Sequence, residues 1–361
     1  MDVSPRAGLS AGGGTGGRET LLLTGNTHIV DAGGREMLDP RAAGEIARVY
    51  GLGDGARLEG PVAHGRKGQV WRLVTNQGRY AVKALFGAVF RERAERDAAY
   101  QDMVRATGVP MPAVLRTLDG AVLAHVGGPP PTATVRVYEW VDILEPRRDL
   151  DPRAIGALLA RVHNVEAPAA GPVDAWYREP VGAEVWNELV ERLRAEQAPF
   201  VPELAALVPQ LVALERTFET PDDVRTCHCD LWADNVRATP EGGIVLLDWE
   251  SAGPESPSHE LGMVIFEYGL GDPSRMLDLY AAYLIAGGPG RISRAGDLTM
   301  LGATSEHLAE EGCRRWLSAT DEADRQLSAA WVEWLLHEPV TPATVSEVLD
   351  AVAGLGGAQA T

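Results

Sequence analysis

The rhythm of apolar and polar positions changes partway along this chain. Up to residue 141, short apolar runs bounded by turn residues predominate, and from Pro152 onward apolar residues recur at the three- and four-residue spacing of amphipathic helices. In the first part, β-type runs cover Ala56 to Ala63, Gln69 to Thr75 and Tyr80 to Leu85. Asn76-Gln77-Gly78 joins the last two as a hairpin turn, because glycine supplies the positive φ such turns need. Together the three runs predict an antiparallel meander.

Helical stretches flank the meander. Pro40 to Tyr50 is predicted as a short helix with an early proline and Gly51 as its stop. Phe90 to Ala106, rich in Arg, Glu and Ala, is predicted as a longer one ended by Gly108 and Pro110. Further β runs near Ala113 to Arg116 and Ala121 to His125 precede a Gly/Pro-rich turn from Gly127 to Pro131, and Val135 to Val141 forms a last strand. Thereafter the expected helices are Pro152 to His163, Val181 to Gln197, Val201 to Phe218 and several between Ser274 and Leu355. Val224 to Trp249 breaks this series with loops and short strands, and a polar interruption in a helical region is where a site is expected.

A chain of 361 residues is long enough for two lobes. The division expected is residues 1–38 as a flexible tail or arm, 39–141 as an N-lobe, and 142–361 as a C-lobe. The tail opens on Gly12-Gly13-Gly14-Thr15-Gly16-Gly17, which has nothing to pack and high backbone entropy. Within it, Glu19 to Ile29 reads equally as a short strand or a loosely docked arm.

Composition narrows the function classes. The formal charge of −18 argues against a nucleic-acid partner, which needs a basic surface to release counterions. Such acidity attracts a cationic substrate, or merely keeps the chain in solution. No apolar run is long enough to cross a bilayer, and the first thirty residues lack a basic start followed by an apolar stretch, so the expected location is the cytoplasm. Cys227, Cys229 and Cys313 are too few for a disulfide framework and are expected to be reduced. Cys227-His228-Cys229 is not a zinc motif: adjacent residues in a strand point to opposite faces, and no second Cys/His pair follows at zinc spacing.

Chemistry is concentrated in Cys227 to Asn235, which contains H-x-D-x-x-x-x-N, the spacing of a kinase catalytic loop. In that arrangement Asp230 accepts the proton of an attacking hydroxyl and Asn235 holds a metal ion, while His228 props the loop. Thirteen residues after Asn235, the apolar strand Ile244-Val245-Leu246-Leu247 delivers Asp248, a carboxylate placed to bridge Mg²⁺ between phosphates. Upstream, Tyr80-Ala81-Val82-Lys83 matches the strand whose lysine pairs with the α- and β-phosphates of ATP. Before it, Ala63 to Val70 keeps Gly65 and Gly68, the last two glycines of a phosphate-covering loop, with alanine in place of the first. Each piece alone has an ordinary explanation; their order along the chain does not.

With these motifs in place, the chain resembles the aminoglycoside phosphotransferase and choline kinase-like family, the small-molecule branch of the protein-kinase-like fold. The resemblance covers about residues 41 to 340 and is most specific over Cys227 to Arg237 and Leu246 to Gly262. Pro257 to Leu261 looks like the short acidic stretch after the metal aspartate, and Ile155 to His163 like the first large-lobe helix with His163 buried. The fold implied is α+β and bilobal: a small antiparallel β N-lobe with one main helix, and a larger, mostly α-helical C-lobe. The resemblance further implies adenine bonded to a hinge at Glu139 to Val141, Mg²⁺ ions between Asn235 and Asp248, and an acidic partner for Lys83 on the following helix, where Glu95 and Asp97 both qualify. Two departures are Cys229, where the family usually has glycine, and Glu260, where aspartate is frequent. No A-P-E segment or activation loop follows Asp248, which disfavours a protein kinase.

The partner implied is a small-molecule hydroxyl acceptor, with the protein a monomer or homodimer. Two candidate acceptor walls stand out: Trp176-Tyr177-Arg178-Glu179 with Glu184, Trp186 and Glu188, and Glu306, His307, Glu310, Glu311 and Trp316, several of which share one helix face. A functional acidic wall would favour a polycationic acceptor such as an aminoglycoside or basic peptide antibiotic. The alternatives are a metabolic acceptor such as choline, homoserine or a sugar, and a nucleotide-binding regulatory pseudoenzyme.

Overall fold

The computed structural model describes residues 38–65, 68–87, 90–128 and 133–356. Residues 1–37, and with them Glu19 to Ile29, lie outside the described residues, as do Arg66 and Lys67.

Five strands build one antiparallel sheet in the order β1-β2-β3-β5-β4: β1 Arg57–Gly65, β2 Gly68–Val74, β3 Arg79–Leu85, β4 Leu123–Val126 and β5 Ala133–Glu139. Helix α1 (Ala43–Tyr50) buries Ile46, Ala47 and Tyr50 against one face with Trp71, Leu73, Val82 and Val137. Helix α2 (Arg91–Ala106) turns Ala94, Ala98 and Val104 inward and leaves its arginines outside. The run expected as a strand near Ala113 to Arg116 is a single bridge from Val114 to Tyr138, because β4 takes that edge of β5 over residues 133–136 and leaves only its last residues to pair.

The second part is helical: α3 Pro152–His163, α4 Ala183–Ala195, α5 Val201–Glu215, α6 Pro257–Gly269, α7 Pro273–Ile285, α8 Thr299–Ser318, α9 Glu322–His337 and α10 Pro342–Gly356. Asp151 caps α3 by accepting from the Arg153 N–H, and Gly156 lets α3 approach α7 so closely that a Cβ there would lie 2.1 Å from the Leu279 carbonyl oxygen. Helix α6 escaped periodicity because Pro257 through Ile265 are buried nearly all round, and a helix apolar on every face has no amphipathic stripe. Between α5 and α6 lie the small antiparallel pairs β6 (Arg225–Cys227) with β9 (Gly253–Glu255) and β7 (Val236–Ala238) with β8 (Ile244–Leu246). All three cysteines are free and buried. This is the bilobal kinase-like α+β architecture. No described helix is long and apolar enough to cross a membrane.

Candidate active site

The β6–β9 and β7–β8 pairs bring the catalytic-loop motif and the strand-end aspartate together. Leu247 N–H donates to the Asn235 carbonyl, and the Asn235 side-chain amide donates to the Asp230 carbonyl at 2.8 Å, so Asn235 closes its own loop. His228 is fully buried and bonds the Leu247 carbonyl through Nε2 at 3.0 Å, with its ring against Trp249 at 4.4 Å. Burial lowers the His228 pKa, against the pull of Glu260, so the ring acts as a neutral prop.

Glu260 anchors the loop from α6. Its carboxylate accepts from the backbone N–H groups of His228 and Cys229 and lies 2.7 Å from His163 Nε2, while His163 Nδ1 bonds Tyr283 Oη at 2.8 Å. Burial raises the Glu260 pKa, but these partners outweigh it and the net shift is downward, so the carboxylate stays charged inside the core. Cys229 sits at φ 63, in the left-handed region, which explains why glycine suits this position.

Asp248 follows β8, also at positive φ (55), and begins the one-turn helix Trp249–Ser251. This turn meets the sheet. Lys83 Nζ on β3 lies 2.8 Å from Asp248 Oδ1 and 2.8 Å from Glu250 Oε2. Tyr138 donates to Glu250 Oε1 at 2.8 Å, and the buried Arg136, opposite Lys83 on β5, lies 4.0 Å from the same oxygen. Burial and the neighbouring Glu250 push the Asp248 carboxyl above its ordinary value while Lys83 opposes them; Glu250, held by Lys83 and Arg136 against the cost of burial, stays well below its own.

The carboxylate that completes the Lys83 site is therefore Glu250, and neither helix candidate reaches the lysine. Glu95 is engaged by Arg116 at 2.7 Å and by the Val122 N–H at 2.9 Å. Asp97 faces the cluster from α2, 4.0 Å from Arg93, and burial pushes its pKa up to about 6. Glu250 lies within Leu246 to Gly262, where the sequence assigns it no role; its place two residues after a strand-end aspartate is the available signal.

The remaining candidates divide. Gly65 and Gly68 pair at the end of the β1–β2 hairpin. A Cβ on Gly68 would lie 2.3 Å from the Ala84 carbonyl oxygen, so strand packing alone demands glycine there, whereas Gly65 meets only ordinary contacts. Glu139 directs its backbone N–H to the Ala113 carbonyl at 3.0 Å, and Val141 follows beyond the strand end.

The acceptor walls change character. Trp186, Trp316 and Glu306 are buried and belong to the packing of α4, α5, α8 and α9 rather than to a surface. Trp176 and His307 stack at 5.1 Å and line a cavity of about 500 Å³ together with Arg192, Glu310, Glu311 and Arg314. Glu310 pairs with Arg314 at 2.7 Å and Glu311 with Arg315 at 2.8 Å, so this face is not a bare acidic wall.

The phosphotransferase enzyme family matches residues 60–296, well over half of the chain. Homoserine kinases of Pseudomonas aeruginosa are 29% identical over 198 residues, which is 50% of this chain and 57% of theirs, so the chain matches little more than half the length of those curated relatives. Among solved structures, a spectinomycin phosphotransferase in complex with ADP and spectinomycin superposes with a TM-score of 0.62 at 14% identity, covering 88% of this chain and 99% of that one. An aminoglycoside phosphotransferase from Alicyclobacillus acidocaldarius gives 0.58 at 17% identity over 89% and 98%, and a microcompartment-associated aminopropanol kinase 0.56 at 16% over 82% and 95%. The spacing from Lys83 to Asp248, the fold that closes it and the family match converge: this chain belongs to the phosphotransferase enzyme family.

Proposed function

We propose that the protein is an ATP- and Mg²⁺-dependent small-molecule kinase that transfers the γ-phosphoryl group of ATP to a hydroxyl. The observation that carries this is the Lys83–Asp248 contact at 2.8 Å, which joins the sheet to the segment holding Asp230 and Asn235. A phosphate-binding lysine, a metal carboxylate and a base on one short path are what phosphoryl transfer requires, because its catalysis is positioning plus charge neutralisation.

In this reading Lys83 binds the α- and β-phosphates, and Asp230 accepts the proton of the attacking hydroxyl. Asp248 and the amide oxygen of Asn235 would hold Mg²⁺, which neutralises charge on the transferred group. The donor set fits: both are oxygen ligands, and Asp248 keeps a partly exposed carboxylate. Glu250 and Arg136 keep Lys83 extended toward the phosphates. A regulatory pseudoenzyme has no need of Asp230 beside this apparatus.

For the acceptor, the pairing of Glu310 and Glu311 with arginines favours a small polar metabolite over a polycation. The homoserine kinase likeness supports the same class. The test is ADP release from Mg-ATP with homoserine, amino alcohols, sugars and aminoglycosides as acceptors. Turnover confined to small hydroxylated amines or hydroxy amino acids is expected; turnover confined to aminoglycosides would overturn the acceptor class, and ATP binding with no transfer to any of them would overturn the kinase.

A further inference from the structure

A base that takes a proton from a hydroxyl must present one lone pair in a fixed direction, and small misplacements cost large factors in rate. Ser251 Oγ lies 3.4 Å from Asp230 Oδ2. It ends the same one-turn helix that begins beside Asp248 and includes Glu250, so the lysine-binding carboxylates and this hydroxyl share one short turn. The side chains of Ser251 and Tyr177 are also hydrogen-bonded to each other. Tyr177 comes from the one-turn helix Ala175–Tyr177 that precedes α4 and packs against the main core.

The turn carrying Tyr177 is itself held in place. Asp174 caps it by accepting from the Trp176 N–H at 3.0 Å, Trp176 stacks on His307 of α8, and His307 Nε2 bonds the Glu179 carbonyl at 3.0 Å. Tyr177 therefore reaches Ser251 from a fixed base.

Donor counting sets the direction of the bonds. An ionised carboxylate only accepts, so Ser251 O–H donates to Asp230, and its lone pairs are left to accept from Tyr177 O–H. We infer that Tyr177 and Ser251 are positioning residues for Asp230: the chain Tyr177 Oη to Ser251 Oγ to Asp230 Oδ2 occupies one carboxylate oxygen and turns Oδ1 toward the acceptor hydroxyl. Burial keeps the phenol protonated, hence a donor, by raising its pKa. The 3.4 Å separation is long for this bond, as catalytic hydrogen bonds often are before substrate binds.

The inference rests on Asp230 acting as the base, so the experiment separates the two. Full-length wild type, Asp230→Asn, Ser251→Val, Ser251→Thr and Tyr177→Phe are compared by ADP release from Mg-ATP, with water alone and with each panel acceptor, and by AMP-PNP binding. Threonine and valine have the same shape, so their difference reports the hydroxyl and not the packing. Loss of the bond to a charged group is expected to lower kcat about ten-fold or more in Ser251→Val, with Ser251→Thr close to wild type. The KM for ATP and AMP-PNP binding stay unchanged. Tyr177→Phe lowers kcat less, and Tyr177→Phe combined with Ser251→Val is no worse than Ser251→Val alone, since the chain is already cut. If Asp230→Asn retains turnover, the base assignment fails. If Asp230→Asn is inactive while valine and threonine at position 251 behave alike, the hydroxyl chain is overturned and the base stands. Tyr177→Phe removes one oxygen without a cavity, so it decides the matter should Ser251→Val fold poorly; wild-type kcat in Tyr177→Phe then overturns the chain.

Discussion

Glu250 Oε2 lies 2.8 Å from Lys83 Nζ, and this ion pair joins β3 to the turn after Asp248 across the two lobes. Both groups are largely buried, but Lys83 keeps Asp248 at 2.8 Å when Glu250 is neutralised. Glu250→Gln is therefore expected to cost about 1–3 kcal/mol of unfolding free energy at neutral pH, measured by urea denaturation. The Glu250 pKa is depressed in the fold, so its contribution is fully present above the ordinary value of 4.5 and is lost as pH falls through the lower folded value. The gap between wild type and Glu250→Gln therefore holds at neutral pH and closes in acid; a gap that widened in acid would refute the assignment.

Asp248→Asn tests the metal role. Nucleotide binding without Mg²⁺ is expected to stay within a few-fold of wild type, while the strengthening of AMP-PNP binding by Mg²⁺ drops about ten-fold or more, because an amide is a much weaker ligand for a hard cation than a carboxylate. Calorimetry with and without Mg²⁺ measures both. An undiminished Mg²⁺ effect would remove Asp248 from the site.

At Cys229 the left-handed backbone sets the tolerance for side chains. Cys229→Gly is expected to lie within about 1 kcal/mol of wild type, since relief of backbone strain offsets the lost side-chain packing. Cys229→Val adds a β-branch at positive φ and is expected to be at least about 2 kcal/mol less stable than Cys229→Gly. Equal stabilities of the two variants would show that strain at this position is negligible.

Burial, with Glu215 adding repulsion, pushes the Glu306 pKa up to about 9 from an ordinary 4.5. A raised carboxyl contributes stability that is fully present below 4.5 and is lost as pH rises through about 9. Glu306→Gln mimics the neutral acid at every pH. Its melting temperature is expected to equal that of wild type near pH 4.5 and to exceed it by several degrees at pH 9, an effect on the order of a few kcal/mol. A melting-temperature difference independent of pH would contradict the assignment.

Much of the architecture was legible because its signals are local. Gly51 and Pro152 mark helix boundaries, Gly78 marks a turn, and H-x-D-x-x-x-x-N places Asp230 and Asn235 on one short loop; the chemistry of each lies within a few residues of chain. Two kinds of feature were not legible. Helix α6 is buried on nearly every face and shows no period, and Glu306, one of several carboxylates on α8, gave no sign that it lay inside while Glu310 is only half-buried.

The partner of Lys83 shows the same limit at the site. The chain itself determined that a lysine strand, H-x-D-x-x-x-x-N and a strand-end aspartate occur in kinase order. Only the tertiary structure decided that Lys83 turns to Asp248 and Glu250 while Glu95 turns to Arg116, that Ser251 and Tyr177 stand beside Asp230, and that Glu310 and Glu311 are paired with arginines. Spacing along a chain specifies neighbours within a turn or a loop, whereas the choice among several carboxylates far apart in sequence depends on which one packing and burial carry to within bonding distance.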